Sequence, residues 1–286
     1  MVPPDRSLEG RIALITGANT GIGKVTAREL AARGAHVFVA CRSRQRTEPV
    51  LTEIRASILN AQIEAIALDL SDFASVRVCA AEFLARGLPL HLLINNAGVA
   101  PAHGNLSKSG FELAFGVNHM GHFLLTSLLL GRIRESAPAR VVTVASEAHR
   151  GARGFVWDDL RKPTHSATGF AEYAVSKLAN VLFSAELARR LDGSGVHTYA
   201  LHPGVVASDI WRRVPALMRG LIKLFMLTPE RGARTTLHCA TSAEAGHETG
   251  LFYEKSRPKA PSAVAQDATL ASELWKRSEE WIRADV

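Results

Sequence analysis

Short runs of apolar residues alternate along the chain with longer segments of helical periodicity. The apolar runs predict strands at 11–16, 36–41, 63–70, 91–95, 140–146, 196–202 and 250–254. The segments between them predict helices at 21–33, 44–58, 72–86, 108–135 and 168–191. Apolar runs of this kind are typical of parallel strands buried on both faces. The pattern therefore predicts an α/β fold, a single domain over 1–286 with a doubly wound parallel sheet of about seven strands and helices on both faces.

Composition narrows the class of partner. The 286 residues are 47% hydrophobic and 21% charged, enough apolar material for a large core. A net charge of +7 favours anionic partners such as nucleotide phosphates. The sequence has no block of Lys and Arg that resembles a nucleic-acid-binding arm, so we expect no nucleic-acid partner.

Cysteine usage and hydropathy predict the compartment. Cys41, Cys79 and Cys239 are scattered and odd in number, which argues against a disulfide framework or a zinc knuckle and favours a reducing compartment. The first ten residues do not resemble a signal peptide or an anchor, and no apolar run reaches the roughly 18 residues of a membrane span. We therefore expect a cytoplasmic protein.

Three histidines come close together in sequence without forming a metal motif. His119, His122 and His149 have no acidic or cysteine partner at the spacing of a metal site. Core or capping roles are the simpler interpretation, and we predict no metal.

The turn after the first strand, Thr16 to Lys24, reads TGANTGIGK and has the glycine spacing G-x-x-x-G-x-G. Gly17 permits a tight turn, Gly21 lets backbone approach a pyrophosphate, and Gly23 lets the helix pack close to the sheet. The free N–H groups of the helix N-terminus then face the phosphates. The turn predicts a Rossmann-like nucleotide site formed by Gly17, Asn19, Thr20, Gly21, Ile22 and Gly23. A glycine-rich helix start without a ligand is the alternative.

Further motifs follow this loop in a fixed order: NNAG at 95–98, Ser146, YAVSK at 173–177 and HPGVV at 202–206. In order and spacing they resemble the short-chain dehydrogenase/reductase family. The stretches ACRS (40–43), GVNHMGHF (116–123), ASEAH (145–149) and SKLANVLF (176–183) resemble its retinol-dehydrogenase-like branch. The resemblance extends from about residue 9 to residue 282.

The candidate catalytic residues are Ser146, Tyr173, Lys177 and Asn118. Tyr173 and Lys177 are four residues apart on one predicted helix and therefore share a face. A neighbouring ammonium favours the phenolate, which suits Tyr173 to act as general acid or base. Ser146, at the end of a predicted strand, can hold the substrate oxygen. The resemblance implies that Lys177 also binds the nicotinamide ribose and that Asn118 anchors a water that relays protons to Lys177.

The second predicted strand ends in Cys41-Arg42-Ser43-Arg44, with no carboxylate for a ribose hydroxyl. Arg42, helped by Arg44, can bind the 2′-phosphate of NADP(H), which is the predicted cofactor; two solvated loop cations are the alternative. The resemblance implies further cofactor contacts, with Asp69 and Leu70 at the adenine and Asn96, Ala97 and Gly98 beneath the ribose. Toward the nicotinamide they include Pro203, Gly204, Val206 and Ser208.

The resemblance implies a substrate lid at about 208–228. Within it, 211–227 predicts a basic amphipathic helix, with Arg212, Arg219 and Lys223 on one side and Leu217, Leu221, Leu224 and Phe225 on the other. Two interpretations stay open: the helix only covers the pocket, or it also touches an anionic membrane. The spacing of 27 positions from Ser146 to Tyr173 predicts an inserted loop near the site mouth.

The sequence thus predicts an oxidoreductase that transfers a hydride between NADP(H) and an apolar alcohol or carbonyl compound. A retinoid, a steroid, or an aliphatic aldehyde or ketone are all compatible, and the substrate and direction stay open. The alternative is a non-catalytic, NADP(H)-binding regulatory protein on the same fold. The resemblance implies a homodimer or a homotetramer.

Overall fold

The computed structural model describes residues 6–99, 106–205 and 227–284. Within them a single sheet has the strand order β3-β2-β1-β4-β5-β6-β7-β8. The strands are β1 Ile12–Thr16, β2 His36–Cys41, β3 Ile63–Ala67, β4 Leu92–Asn95, β5 Ala139–Val144, β6 Val196–His202, β7 Leu251–Glu254 and β8 Arg257–Pro258. The first seven are parallel, and β8 pairs antiparallel with β7. The doubly wound fold is confirmed; the eighth strand was not predicted because two residues carry no periodicity.

The helices of the described residues alternate with the strands. They are α1 Gly21–Ala32, α2 Arg44–Ser57, α3 Phe73–Ala85, α4 Leu113–Glu135, α5 Phe170–Arg190, α6 Pro229–Thr241 and α7 Ala268–Arg283. Three predicted boundaries were wrong by a few residues. The third strand ends at Ala67 rather than 70, the fifth ends at Val144 rather than 146, and α4 begins at Leu113 rather than 108. For the two strands, apolar residues just after the last ladder position extended the sequence pattern past the hydrogen-bonded ladder.

Each face of the sheet has its own apolar core, because alternate residues of each strand point to opposite faces. Ile12 and Leu14 belong to the core beneath α3, α4, α5 and α7, which is rich in aromatic rings. Ala13 and Ile15 belong to the mainly aliphatic core beneath α1, α2 and α6. Burial on both faces explains the continuous apolar runs of the sequence.

Helix α4 is long and apolar enough to cross a membrane, although the sequence pattern predicted no such run. However, 72% of its apolar window is buried inside the protein. Its composition therefore reflects a place in the core of the fold.

The strand order reverses between β1 and β4, which lie side by side at the centre of the sheet. In open α/β sheets such a reversal leaves a crevice at the carboxyl ends of the strands, where ligands bind. The glycine loop follows β1, and the NNAG loop follows β4. Both loops therefore open onto this crevice.

Candidate active site

The glycine loop requires two of its glycines for reasons of geometry. Gly17 has φ +67°, and a Cβ there would lie 2.8 Å from the Cβ of Ala97. A Cβ on Gly23 would lie 2.5 Å from Nδ2 of Asn96 and 2.7 Å from the carbonyl oxygen of Gly17. The loop therefore packs directly on the NNAG loop, with the tight turn and the close helix packing that the spacing predicted. Gly21 also has a positive φ, +55°.

The start of α1 has the character of an anion site. The Thr20 side chain makes no capping hydrogen bond, and the first turn contains no acidic residue. Thr20 is exposed, and Asn19, Gly21 and Ile22 are half-buried. A helix N-terminus with free N–H groups and a partly exposed glycine backbone fits a pyrophosphate.

The NNAG loop lies between the glycine loop and the candidate catalytic residues. The backbone N–H groups of Asn96 and Ala97 both donate to Oγ1 of Thr16, over 3.0 and 2.9 Å. At the other end of the loop, a Cβ on Gly98 would lie 3.2 Å from Oδ1 of Asn118 and 3.7 Å from Nζ of Lys177. Gly98 therefore leaves room that a larger residue would take from both side chains.

The hydroxyl groups of Ser146 and Tyr173 lie close enough for the Ser146 hydroxyl to lower the pKa of Tyr173. Ser146 lies two residues beyond β5, where its Oγ accepts the N–H of Ala148 over 3.2 Å. Tyr173 lies near the start of α5 and is half-buried. Burial raises the pKa of Tyr173, and the Ser146 hydroxyl only partly offsets that effect. The protein groups alone therefore keep the phenol protonated, contrary to the lowered pKa expected from the sequence.

Lys177 is a buried cation with one defined anchor. Only 4% of its surface is exposed, and Nζ donates to the backbone oxygen of Val144 over 2.9 Å. Nζ lies 5.6 Å from the ring centroid of Tyr173. Burial lowers the pKa of Lys177 to about 8. A lysine whose pKa is lowered by burial, and which lies in a crevice at the carboxyl ends of the strands, is typical of functional sites.

Asn118 connects the NNAG loop to α5 through its side-chain amide. Its Oδ1 accepts the N–H of Val99 over 2.8 Å, and its Nδ2 donates to Oγ of Ser176 over 3.0 Å. Asn118 lies in Gly116–Met120, a π-helical turn within α4. Such turns are frequent at functional sites. The role of Asn118 in anchoring a water stays a prediction.

The next residues are those predicted to contact the 2′-phosphate and the adenine of the cofactor. Arg42 and Arg44 follow β2 with exposed side chains, and neither forms an ion pair with another residue of the described ranges. Asp69 is engaged, since its Oδ1 accepts from the Ser71 hydroxyl over 2.7 Å and its Oδ2 lies 3.1 Å from Nζ of Lys108. Burial raises the pKa of Asp69, but these hydrogen bonds outweigh it and the pKa is lowered. Leu70 is buried.

The predicted nicotinamide end is described in part. Pro203 and Gly204 follow β6, and Gly204 has φ +90°. The N–H of Leu227 donates to the backbone oxygen of Val205 over 2.8 Å. Val206, Ser208 and the lid segment up to residue 226 lie outside the described residues, so the lid stays a prediction.

Comparison with known proteins decides the family. A family model described as short chain dehydrogenase matches residues 11–157. Retinol dehydrogenase 12 of Homo sapiens is 47% identical over 273 residues, which cover 95% of this chain and 86% of that protein. The chain belongs to the short-chain dehydrogenase family.

Two further matches refine the family assignment. Retinol dehydrogenase 11 of Homo sapiens is 46% identical over 270 residues, 94% of this chain and 84% of that protein. Among solved structures, the Pseudomonas aeruginosa RhlG/NADP active-site complex superposes with a TM-score of 0.71 at 28% identity, covering 87% of this chain and 96% of that one. The predicted resemblance to the retinol-dehydrogenase-like branch of the short-chain dehydrogenases is confirmed.

Sequence reasoning missed three residues that organise the site of this short-chain dehydrogenase. They are Thr16, which receives the NNAG amides; Ser176, which accepts from Asn118; and His122, which lies 2.8 Å from Oγ1 of Thr16. The sequence signal for each is a polar residue at a defined position relative to a strand end or a candidate catalytic residue. Thr16 is the last residue of β1, Ser176 is three residues after Tyr173, and His122 is four residues after Asn118.

The other two histidines have separate partners. Nε2 of His119 lies 3.2 Å from Oγ of Ser278 in α7. Nδ1 of His149 donates to the backbone oxygen of Ser146 over 2.7 Å, and its Nε2 accepts the N–H of Ser262 over 3.1 Å. These contacts are those of core and turn histidines.

Two buried carboxylates hold the predicted inserted loop beside Tyr173. Oε1 of Glu112 accepts from the Thr164 hydroxyl, and Oε1 of Glu172 accepts the N–H groups of His165 and Ser166 over 3.1 and 2.8 Å. Because Glu172 directly precedes Tyr173, the loop is anchored next to the short-chain dehydrogenase site.

Proposed function

We propose that this short-chain dehydrogenase transfers a hydride between NADP(H) and an apolar alcohol or carbonyl compound, with Tyr173 as general acid and base. The proximity of the Ser146 and Tyr173 hydroxyls carries the proposal: the Ser146 hydroxyl is near enough to lower the pKa of Tyr173. A substrate oxygen placed between them meets one donor that orients it and one that exchanges a proton with it. Lys177 contributes a cation whose Nζ lies 5.6 Å from the centroid of the Tyr173 ring.

In the reducing direction, Ser146 holds the carbonyl oxygen and Tyr173 gives it a proton. The bound nicotinamide supplies the hydride to the carbonyl carbon. Since burial raises the pKa of Tyr173, the phenol is in the form needed for proton donation at neutral pH. In the oxidising direction Tyr173 must lose its proton, and the nearby charge of Lys177 favours that form. We therefore expect oxidation of an alcohol to accelerate as the pH rises.

Two observations support NADP(H) as the cofactor. The Arg42 and Arg44 side chains are exposed at the end of β2, where a 2′-phosphate would meet them, and no carboxylate precedes them in that turn. A solved structural relative is an NADP complex. Bidentate guanidinium contacts suit a phosphate better than a ribose hydroxyl.

An apolar substrate is supported by the rim of the site. Phe170 is 50% exposed with its ring centroid 6.3 Å from that of Tyr173, and Val205 is 52% exposed after the HPG turn. An apolar side chain left in water beside the Tyr173 ring, as Phe170 is, suits a hydrophobic ligand. Relatives named retinol dehydrogenase support a retinoid, which we propose ahead of steroids and aliphatic aldehydes or ketones.

The test is an oxidation screen with NADPH and with NADH over retinal, steroid ketones, aliphatic aldehydes and quinones. We expect NADPH-dependent turnover of at least one apolar carbonyl compound, abolished in Tyr173→Phe. Tight NADPH binding without turnover of any of them would favour the regulatory alternative. Absence of NADPH binding would reject the cofactor assignment.

We also propose a cytoplasmic protein that forms a homodimer or a homotetramer, with about 208–228 as a substrate lid that covers the pocket; contact of 211–227 with an anionic membrane is the second interpretation. Light scattering tests the oligomeric state.

Co-sedimentation with anionic liposomes at low salt tests the membrane contact, with neutral liposomes as the control. Equal recovery with both kinds of liposome would reject a contact driven by Arg212, Arg219 and Lys223.

A further inference from the structure

His122 bridges the two halves of the site from within α4. The residue is 1% exposed. Its Nδ1 lies 3.0 Å from the backbone oxygen of Asn118, and its Nε2 lies 2.8 Å from Oγ1 of Thr16. Both hydrogen bonds are buried, and Thr16 is fully buried as well. The ring therefore contacts the residue before the glycine loop and the candidate catalytic asparagine at the same time.

The partners fix the direction of every proton in this bridge. A backbone oxygen can only accept, so Nδ1 of His122 must carry the proton that it shares with Asn118. The neutral ring then accepts at Nε2, and the Thr16 hydroxyl must donate to it. Oγ1 of Thr16 keeps its two lone pairs for the N–H groups of Asn96 and Ala97. All polar groups of the bridge are satisfied in one arrangement only.

The ring stays neutral under ordinary conditions. Burial and the nearby charge of Lys177 lower the pKa of His122 to about 4, although the bond to Asn118 acts in the opposite direction. The bridge is therefore not a proton donor or acceptor for the reaction near neutral pH. Its contribution has to be positional.

We propose that His122 is a positioning residue that sets the cofactor-facing NNAG loop against Asn118. It acts through two separate arms, Thr16 on the side of the cofactor loop and the backbone of Asn118 on the side of the catalytic residues. Asn118 lies in a π-helical turn, where backbone bonding departs from the regular helical pattern, so a side-chain donor to its carbonyl has a direct effect on its position. The inference rests on the proposed function for its kinetic consequences, but not for the bridge itself.

The two arms can be cut separately. In His122→Asn, the amide occupies the place of Nδ1 and keeps a donor for Asn118 but cannot reach Thr16. In His122→Gln, the longer side chain keeps an acceptor for Thr16 and loses the bond to Asn118. We expect His122→Asn to weaken NADPH binding by about 10-fold with a smaller change in kcat, and His122→Gln to lower kcat by about 10-fold with a smaller change in NADPH affinity.

His119→Gln is the matched control, because His119 is equally buried in the same helix but is bonded to Ser278 of α7. We expect it to lower thermal stability without separating kcat from NADPH affinity. If the two His122 variants changed both quantities in parallel, or behaved like His119→Gln, the positioning role would be rejected and His122 would be a core residue only.

A measurement on the wild-type protein needs neither turnover nor a correctly folded variant. Nitrogen-15 NMR of the histidine rings reports which ring nitrogen carries the proton. We expect the neutral Nδ1–H form of His122 throughout the stable pH range. The Nε2–H form, or a ring that titrates near its usual pKa, would overturn the bridge even if the enzyme reduces retinal. Conversely, the Nδ1–H form in a protein without turnover would reject only the proposed function.

Discussion

The two ends of the proposed cofactor crevice, a proposed catalytic end and a proposed ribose end, are organised in opposite ways. At the catalytic end Lys177 is 4% exposed, the Ser146 hydroxyl lies close enough to lower the pKa of Tyr173, and Asn118 is held by Val99 and Ser176. At the ribose end Arg42 and Arg44 are exposed after β2. The first set is positioned by buried contacts of the fold, whereas the second is solvated.

This difference follows from what each end must do. Charge that develops during a reaction is stabilised best by groups already oriented in a dry site, where electrostatic interactions are strong. Recognition of a phosphate needs only cations within reach, and solvent keeps their cost low. Substitutions at the catalytic end should therefore change kcat, and substitutions at the ribose end should change the choice of cofactor.

The largest effect is expected for Tyr173→Phe, which removes only the hydroxyl. We expect kcat to fall by at least about 10³-fold because the proton donor is lost, while NADPH affinity stays unchanged. Steady-state kinetics and a fluorescence titration with NADPH measure the two quantities. Tyr199→Phe is the control, because that hydroxyl donates to Ala245 in the core and should affect stability but not kcat. Retained turnover in Tyr173→Phe would contradict the proton-transfer role.

Lys177→Met should lower activity and raise stability together. We expect a loss in kcat of about 10²-fold or more, since the phenolate of Tyr173 loses its cation. The pKa of Lys177 is about 8 instead of the usual 10.5, so below pH 8 the folded state holds an ammonium at a cost of about 3 kcal/mol. Val144 keeps a donor in Asn180, 3.3 Å away, when Nζ is removed.

The size of that stability change depends on pH. The folded state releases the Lys177 proton at about pH 8 and the unfolded state at about 10.5, so wild-type stability rises between these values. The advantage of Lys177→Met should therefore be greatest below pH 8 and shrink toward pH 10.5. Thermal unfolding across this range measures it, with the exposed Lys276→Met as the control. A variant less stable than wild type at pH 7 would show that Lys177 is not a strained group.

The sequence allowed the fold to be predicted, and it supplied the proposed chemistry of the catalytic end, because both depend on local patterns. Apolar runs reflect burial on both faces of the sheet, and Tyr173 and Lys177 are neighbours through helical spacing alone. Ser146 and Tyr173 are 27 positions apart, so no local pattern predicts that they are neighbours. Only the resemblance to the family predicted it.

The bridging residues could not be predicted for the same reason. His122 lies 106 residues from Thr16, and no spacing rule joins a strand end to the middle of a distant helix. The raised pKa of Tyr173 also escaped prediction, because burial is a property of the whole fold and outweighs the lowering effect of the Ser146 hydroxyl. The candidate reactive side chains could be identified from the sequence, but the burial that sets their pKa values could not.

Ser146→Ala should have a smaller effect than either preceding substitution. We expect kcat to fall by about 10²-fold, because one donor to the substrate oxygen is removed while the proton donor remains. The Ser146 hydroxyl lowers the pKa of Tyr173, so its loss should move the alkaline rise of the oxidation rate to higher pH. Kinetics across pH test both effects, and Ser146→Thr should rescue them by restoring a hydroxyl. An unshifted pH profile would contradict the proximity of the two hydroxyls.

The smallest effect is expected at the ribose end, where Arg42→Asp should change the ratio of NADPH to NADH efficiency by about 10- to 100-fold. The carboxylate repels a 2′-phosphate and accepts a bond from a ribose hydroxyl, so KM for NADPH should rise and KM for NADH should fall. kcat should stay nearly unchanged, because Arg42 is remote from the proton-transfer groups in an exposed loop. Lys276→Asp carries the same change of charge on α7 and should leave the ratio unaltered, which separates a direct phosphate contact from the long-range field of the protein. An unchanged ratio in Arg42→Asp would assign the ribose contact elsewhere; a large fall in kcat would mean that the two ends of the crevice are coupled, and not independent as their different construction implies.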